Sequence, residues 1–74
     1  MMLTHKQKLL LKMIYRETEI DAKKGLRIFK TYKGFFQAIK ILKYKGLIDF
    51  YQDHLIGKRI YHLTERGRSY ARRL

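Results

Sequence analysis

The chain has no cysteine, no proline and no tryptophan, and only six of its 74 residues are acidic. Without cysteine there can be no disulfide, thiolate metal site or thiol switch, which fits a reducing compartment. Without proline, helix ends must be set by capping side chains and glycines. No apolar run approaches the roughly 20 residues of a membrane span, and Met1-Met2-Leu3-Thr4-His5-Lys6 is not a secretory signal. An intracellular protein with no membrane association is therefore expected. Against the six acids stand 18 Lys and Arg, for a formal charge of +12 and a pI of about 10.2. Such an excess implies an anionic partner: DNA, RNA or an acidic membrane surface. With 46% hydrophobic residues the charge decorates a folded object rather than a solvated tail. One small domain over residues 1–74 is expected. A domain of this size buries only about 60 to 65% of its unfolded-chain surface, so a dimer or a bound partner would add stability.

The charge is unevenly spread. From Ala22 to Ile48 there are eight Lys or Arg (Lys23, Lys24, Arg27, Lys30, Lys33, Lys40, Lys43, Lys45) and no acid. Around this middle the spacing predicts an α+β, mostly helical chain. Thr4-His5-Lys6-Gln7 fits a capping box and starts a helix running to about Arg16. Its polar stripe is His5, Lys8, Lys12 and Arg16, while Leu3, Leu9, Leu10, Leu11, Met13 and Ile14 spread over about half the circumference. So wide an apolar arc needs two burial partners: the core, and either the last helix or helix one of a second copy. Asp21 caps a second helix with a core stripe of Ala22, Leu26 and Phe29, and Gly25 within it suggests a close helix crossing. Lys30-Thr31 makes the turn, and Thr31 caps a third helix that Gly46 stops after Lys45.

After Gly46 the period changes from about 3.6 to 2. Leu47 to Gln52 and Arg59 to Thr64 predict a two-stranded hairpin with Asp53 to Lys58 as its loop. Thr64 caps a closing helix with an apolar face of Gly67, Tyr70, Ala71 and Leu74, and Arg72 and Arg73 suit its negative end. Lys45-Gly46-Leu47-Ile48 resembles the helix-to-wing junction of small winged helix-turn-helix transcription regulators. Arg59-Ile60-Tyr61-His62-Leu63-Thr64-Glu65-Arg66-Gly67-Arg68 is similar to their wing strand and its "Y-x-L-T-x-x-G-R" ending. The resemblance covers nearly the whole chain. It implies a winged helix with a three-helix core, a hairpin wing and a C-terminal helix, reading double-stranded DNA with helix three.

The residues of that helix point the same way. Phe35, Ala38, Ile39 and Leu42 form a core face, and Lys33, Phe36, Gln37, Lys40 and Tyr44 lie opposite. A major groove about 12 Å wide admits one helix, in which a glutamine can make a bidentate contact to adenine and a lysine can address guanine or phosphate. Phe36 and Tyr44 flank this face, where a ring can pack on a thymine methyl or the sugar-phosphate surface; a buried aromatic at the helix junction is the other reading of Phe36. Lys30 and Thr31 stand at the helix start, where free N–H groups attract phosphate. The resemblance also implies wing contacts from Lys58 and Arg59 to the minor groove or flanking phosphates. Here the chain departs from many relatives, which carry an Asp-x-Arg arrangement in a polar wing. It has Gly57 two residues before Arg59 and the apolar pair Leu55-Ile56, which can face DNA, the domain or a protein.

His5, His54 and His62 lack the spacing and companions of a metal site, and no nucleophile triad, phosphate-binding glycine loop or carboxylate pair is present. Neither catalysis, cofactor, metal nor small-molecule ligand is expected. The sequence therefore supports a minimal sequence-specific regulator, homodimeric through helix one, helix four or both, that blocks a promoter or touches the transcription machinery. A protein- or RNA-binding winged helix and a sequence-neutral architectural DNA binder remain as alternatives.

Overall fold

In the computed structural model, which describes residues 2–74, each helix starts on a side chain that accepts a hydrogen bond from its first turn. For α1 (His5–Glu17) the capping box is reciprocal: Thr4 Oγ1 accepts from the Gln7 N–H at 3.1 Å, and Gln7 Oε1 accepts from the Thr4 N–H at 3.0 Å. Asp21, Thr31 and Thr64 accept from the N–H groups of Lys24, Gly34 and Gly67, starting α2 (Ala22–Phe29), α3 (Tyr32–Tyr44) and α4 (Glu65–Arg72). In a chain without proline these caps supply the helix starts, each holding an N–H that the helix itself cannot satisfy.

The strands are β1 (Glu19–Ile20), β2 (Ile48–Asp53) and β3 (Lys58–Leu63), antiparallel in the order β1-β3-β2. The expected hairpin is present, shifted by one residue, with a tip of residues 54–57. The sheet has a third strand that the sequence does not announce. β1 is two residues long and follows Thr18, whose φ of 76° turns the chain sharply, so it has no alternation to detect. Ile20 lies opposite Tyr61, and Tyr61 opposite Phe50, which puts all three on the core side of the sheet.

Leu10, Leu11 and Ile14 of α1, Phe35 and Leu42 of α3, and Leu47, Ile48 and Tyr61 form the fully buried centre. α4 covers the remaining apolar side of α1 with Ala71 and Tyr70, so the second burial partner demanded by the wide apolar arc lies within this chain. Leu9, expected inside that arc, ends at its rim, 37% exposed. On α2 the core contacts come from Ala22, Ile28 and Phe29; Leu26, expected in this stripe, is only half buried.

Two glycines set how closely the elements approach. A Cβ on Gly25 would overlap the Phe35 ring, so the α2–α3 crossing depends on its absence. A Cβ on Gly67 would overlap the Leu47 carbonyl. That carbonyl accepts from the Thr64 N–H at 3.1 Å, while Thr64 Oγ1 donates to the Gly46 carbonyl at 2.6 Å. The two halves of the sequence motif, Gly46-Leu47 and Leu63-Thr64-x-x-Gly67, thus meet in one junction.

We expect Gly25→Ala to destabilise the fold by about 1–3 kcal/mol through overpacking, and Gly67→Ala by at least as much, because its obstacle is main chain. Urea unfolding measures both, and a parental midpoint for Gly67→Ala would refute the close approach. Acid dependence gives a second test. Burial opposes ionisation of Asp21, but the Lys24 N–H and the Lys58 ammonium outweigh it and hold its carboxyl below the usual range. The Phe50 N–H and Lys43 do the same for Asp49. A depressed carboxylate contributes stability above its unfolded pKa and loses it as pH falls through the folded value. The Tm should therefore be flat above about pH 5 and drop below about pH 4. Asp21→Asn keeps a capping oxygen without the titration and should shallow that drop; an equally steep fall would exclude Asp21 as a linked group.

Candidate nucleic-acid interface

Burial of Phe35, Ala38, Ile39 and Leu42 fixes the roll of α3 about its axis, and the opposite face is left to solvent. Lys33, Gln37 and Lys40 are exposed there, and Tyr44 at the far end is 92% exposed. Phe36, on the flank, is half anchored. Its ring meets Phe35 edge-on at 5.4 Å while 44% of the residue stays accessible. Tyr32 stacks on Phe36 at 6.1 Å with 19° between the planes, and is itself 51% exposed. Sequence reasoning passed over Tyr32; its i, i+4 spacing from Phe36 on a helix was the available signal.

The start of α3 is equally open. Lys30 takes the left-handed conformation, with φ 66°, and donates its N–H to the Leu26 carbonyl at 3.1 Å, turning the chain from α2 into α3. Thr31 Oγ1 is engaged as the cap acceptor for the Gly34 N–H, and both Lys30 and Thr31 are exposed. On the other flank, Gln37 and Ile41 share a groove of about 460 Å³ with Thr4, His5 and Lys6 at the start of α1. Lys6 is a cation that the helical period alone does not connect to this face.

Charge is segregated around this face. Among the described residues, ion pairs join Glu17 to Arg16 and Lys24, Asp49 to Lys43, and Asp21 to Lys58, leaving Lys30, Lys33 and Lys40 unpaired. Five of the six acids fall within residues 17–21 and 49–53, on or beside β1 and β2, and none on α3. No group of three or more His, Cys, Asp or Glu converges among the described residues.

The structure places the wing residues differently from the α3 residues. Lys58, expected in the loop, joins Arg59 in β3, and both are engaged within the molecule. Lys58 Nζ is 3.3 Å from Asp21 Oδ2, tying the wing to the cap of α2. The Arg59 guanidinium lies 4.4 Å from the centre of the Phe50 ring, where the Lys43 ammonium also sits, at 5.3 Å. Between wing and α3 runs an open groove of about 520 Å³ lined by Tyr32, Phe36, Lys23, Lys58, Arg59 and Tyr61. Burial pushes the Tyr61 hydroxyl up despite the nearby Arg59. At the tip, Asp53 Oδ1 accepts from the N–H groups of Leu55 at 3.0 Å and Ile56 at 3.4 Å, and Gly57 supplies a φ of 67°. This turn holds Leu55 outward, 97% exposed, so the apolar pair does not fold back on the domain.

No family model and no curated protein matches the chain. Solved structures do. A mutant of ZitR from Lactococcus lactis superposes with a TM-score of 0.86 at 21% identity, over 99% of this chain and 51% of that one. FabT from Streptococcus pneumoniae, in a complex with DNA, gives 0.85 at 18% identity over 95% of this chain and 50% of that one. The adhesin competence repressor AdcR from Streptococcus pyogenes gives 0.84 at 18% identity over 96% and 54%. The chain spans about half the length of these proteins. What it shares with them is the architecture: this is a winged helix-turn-helix fold, with α2 and α3 as the helix pair and β2–β3 as the wing.

Proposed function

We propose that the chain binds double-stranded DNA sequence-specifically, as the reading module of a transcription regulator and not as an enzyme. The observation that carries this is the outward face of α3: Lys33, Gln37, Lys40 and Tyr44 exposed together, without an acid on the helix, on a fold shared with a protein solved in complex with DNA. In this reading α3 enters the major groove. Gln37 faces a base edge, Lys33 a guanine or phosphate, and Lys40 and Tyr44 the backbone further along. Phe36, braced by Tyr32, packs on a thymine methyl or sugar, and Lys30 and the Thr31 turn meet a flanking phosphate.

The wing has a secondary part in this reading. To reach phosphate, Lys58 must leave Asp21 and Arg59 must leave Phe50, each exchanging an interaction already made. Their net contribution is therefore smaller than that of the unpaired lysines of α3. The form of homodimer this reading retains is two copies on adjacent half-sites. Lys8, Lys12 and Arg16 line the outward face of α1, so two-fold packing of that face on its copy in free solution opposes like charges.

Selection of sites from random duplex DNA at about 150 mM salt tests the proposal, the expected result being a motif held at least about 10³-fold above random sequence. Retention without a motif would leave only sequence-neutral binding, and no retention would overturn the function. On the recovered site, Gln37→Ala should relax preference at one base pair at a cost of about 1–3 kcal/mol. Lys40→Ala should weaken all sequences alike and reduce the log–log salt slope by about 0.9. Lys58→Ala should change that slope by less. Equal, sequence-independent losses from Gln37→Ala and Lys40→Ala would remove Gln37 from base readout.

A further inference from the structure

A second cationic surface lies away from α3. The outward face of α1 presents Lys8, Lys12 and Tyr15, and the exposed side of α4 presents Arg68 and Arg72. The two rows are neighbours: α4 packs on α1, and Arg68 shares a cleft of about 240 Å³ with Ile14, Tyr15, Thr18 and Leu63. α4 packs on α1 and β3, whereas α3 packs on α2 and β2, so the two surfaces lie on different sides of the core. Among the described residues none of Lys8, Lys12, Arg68 or Arg72 pairs with a carboxylate. Five of the six acids are gathered within residues 17–21 and 49–53; the sixth, Glu65 on α4, shares a cleft with Arg68 and Arg72 but, among the described residues, pairs with neither.

We propose that this α1–α4 surface binds the backbone of a second DNA duplex, so that one chain bridges two duplexes. The inference rests on the DNA-binding reading of α3. Its own ground is charge complementarity. Lys8 and Lys12 are one helical turn apart, as are Arg68 and Arg72, giving two rows of cations each spaced by about 6 Å. Duplex DNA presents one negative charge per about 1.7 Å of its axis. Tyr15, 43% exposed beside Arg68, adds a flat ring with a hydroxyl that can meet a sugar or phosphate. These side chains lie along helix flanks rather than on a helix free to enter a groove, so this contact reads no sequence. The α3 face selects a site and the α1–α4 face takes any neighbouring duplex.

The test uses the full chain with a site-bearing duplex on beads and a fluorescent random duplex in solution, over about 50 to 200 mM salt. The parent should retain the second duplex. The combined variant K8Q/K12Q/R68Q/R72Q should lose at least about tenfold in that retention while binding the first duplex within about threefold, its salt slope for capture being shallower by about 3 to 4. The charge-keeping variant K8R/K12R/R68K/R72K should bridge like the parent, which guards against a mere folding defect. Capture of one duplex only, or equal bridging by the glutamine variant, overturns the proposal and leaves α3 binding intact. So does sedimentation of the free parent as a dimer that the glutamine variant splits, because bridging would then come from two copies. Failure to bind either duplex would sink the α3 reading as well.

Discussion

The carbonyl of Leu47 is where three elements are joined, and the geometry of the wing depends on it. It accepts from the Thr64 N–H, and the first turn of α4 lies so close that residue 67 can have no side chain. Thr64 completes the junction by donating its hydroxyl to Gly46 and accepting from the Gly67 N–H. One residue therefore starts α4 and satisfies the carbonyl that follows α3 with its side chain, and closes the base of the β2–β3 hairpin with its main-chain N–H. The direction in which the wing leaves the domain is set there, by main-chain hydrogen bonds that tolerate little displacement.

From that base an aromatic column runs through the molecule. Phe35 meets Tyr61 at 5.3 Å, and Tyr61 meets Phe50 at 5.9 Å, so α3 and the wing lean on the same buried rings. Phe35 is also the ring under which Gly25 passes, which couples the α2–α3 crossing to the position of the wing. Close-packed interiors transmit a displacement rather than absorb it. The spacing between α3 and the hairpin is consequently a property of the core, and Lys43 and Arg59 over Phe50 extend that rigidity to the surface.

Most of this fold is written in local signals. Thr4, Asp21, Thr31 and Thr64 are caps because a short polar side chain precedes an apolar period, and the structure starts a helix after each. The core face of α3 was equally legible, since Phe35, Ala38, Ile39 and Leu42 admit only one helical face. The strand β1 was not, because two residues carry no period, and its existence depends on pairing with His62 and Tyr61 more than 40 positions away. The fate of Lys58 and Arg59 was hidden for the same reason. Their partners, Asp21 and Phe50, are chosen by sheet register and by where α2 begins. Tyr32 was missed because a tyrosine at a helix start reads as neutral until its neighbour Phe36 is seen to be half exposed.

The distribution of charge ties these elements to function. A formal +12 on a chain of 74 residues opposes compaction by self-repulsion, and a core this small has little margin to offset it. The chain meets that cost with separation rather than neutralisation. Five of its six acids cluster on or beside β1 and β2, where they pair with the first turn of α2, the wing and the end of α3, while the cations of α3 and those of α1 and α4 stand apart on different sides of the core. Such an arrangement leaves both cationic faces without countercharge in the free protein, and an anion bound at one face relieves the repulsion among the cations of that face, the opposite face lying beyond the reach of screened charge. In the proposed reading stability and DNA affinity are thereby linked, because a duplex that binds the folded chain in preference to the unfolded one raises the stability of the folded chain.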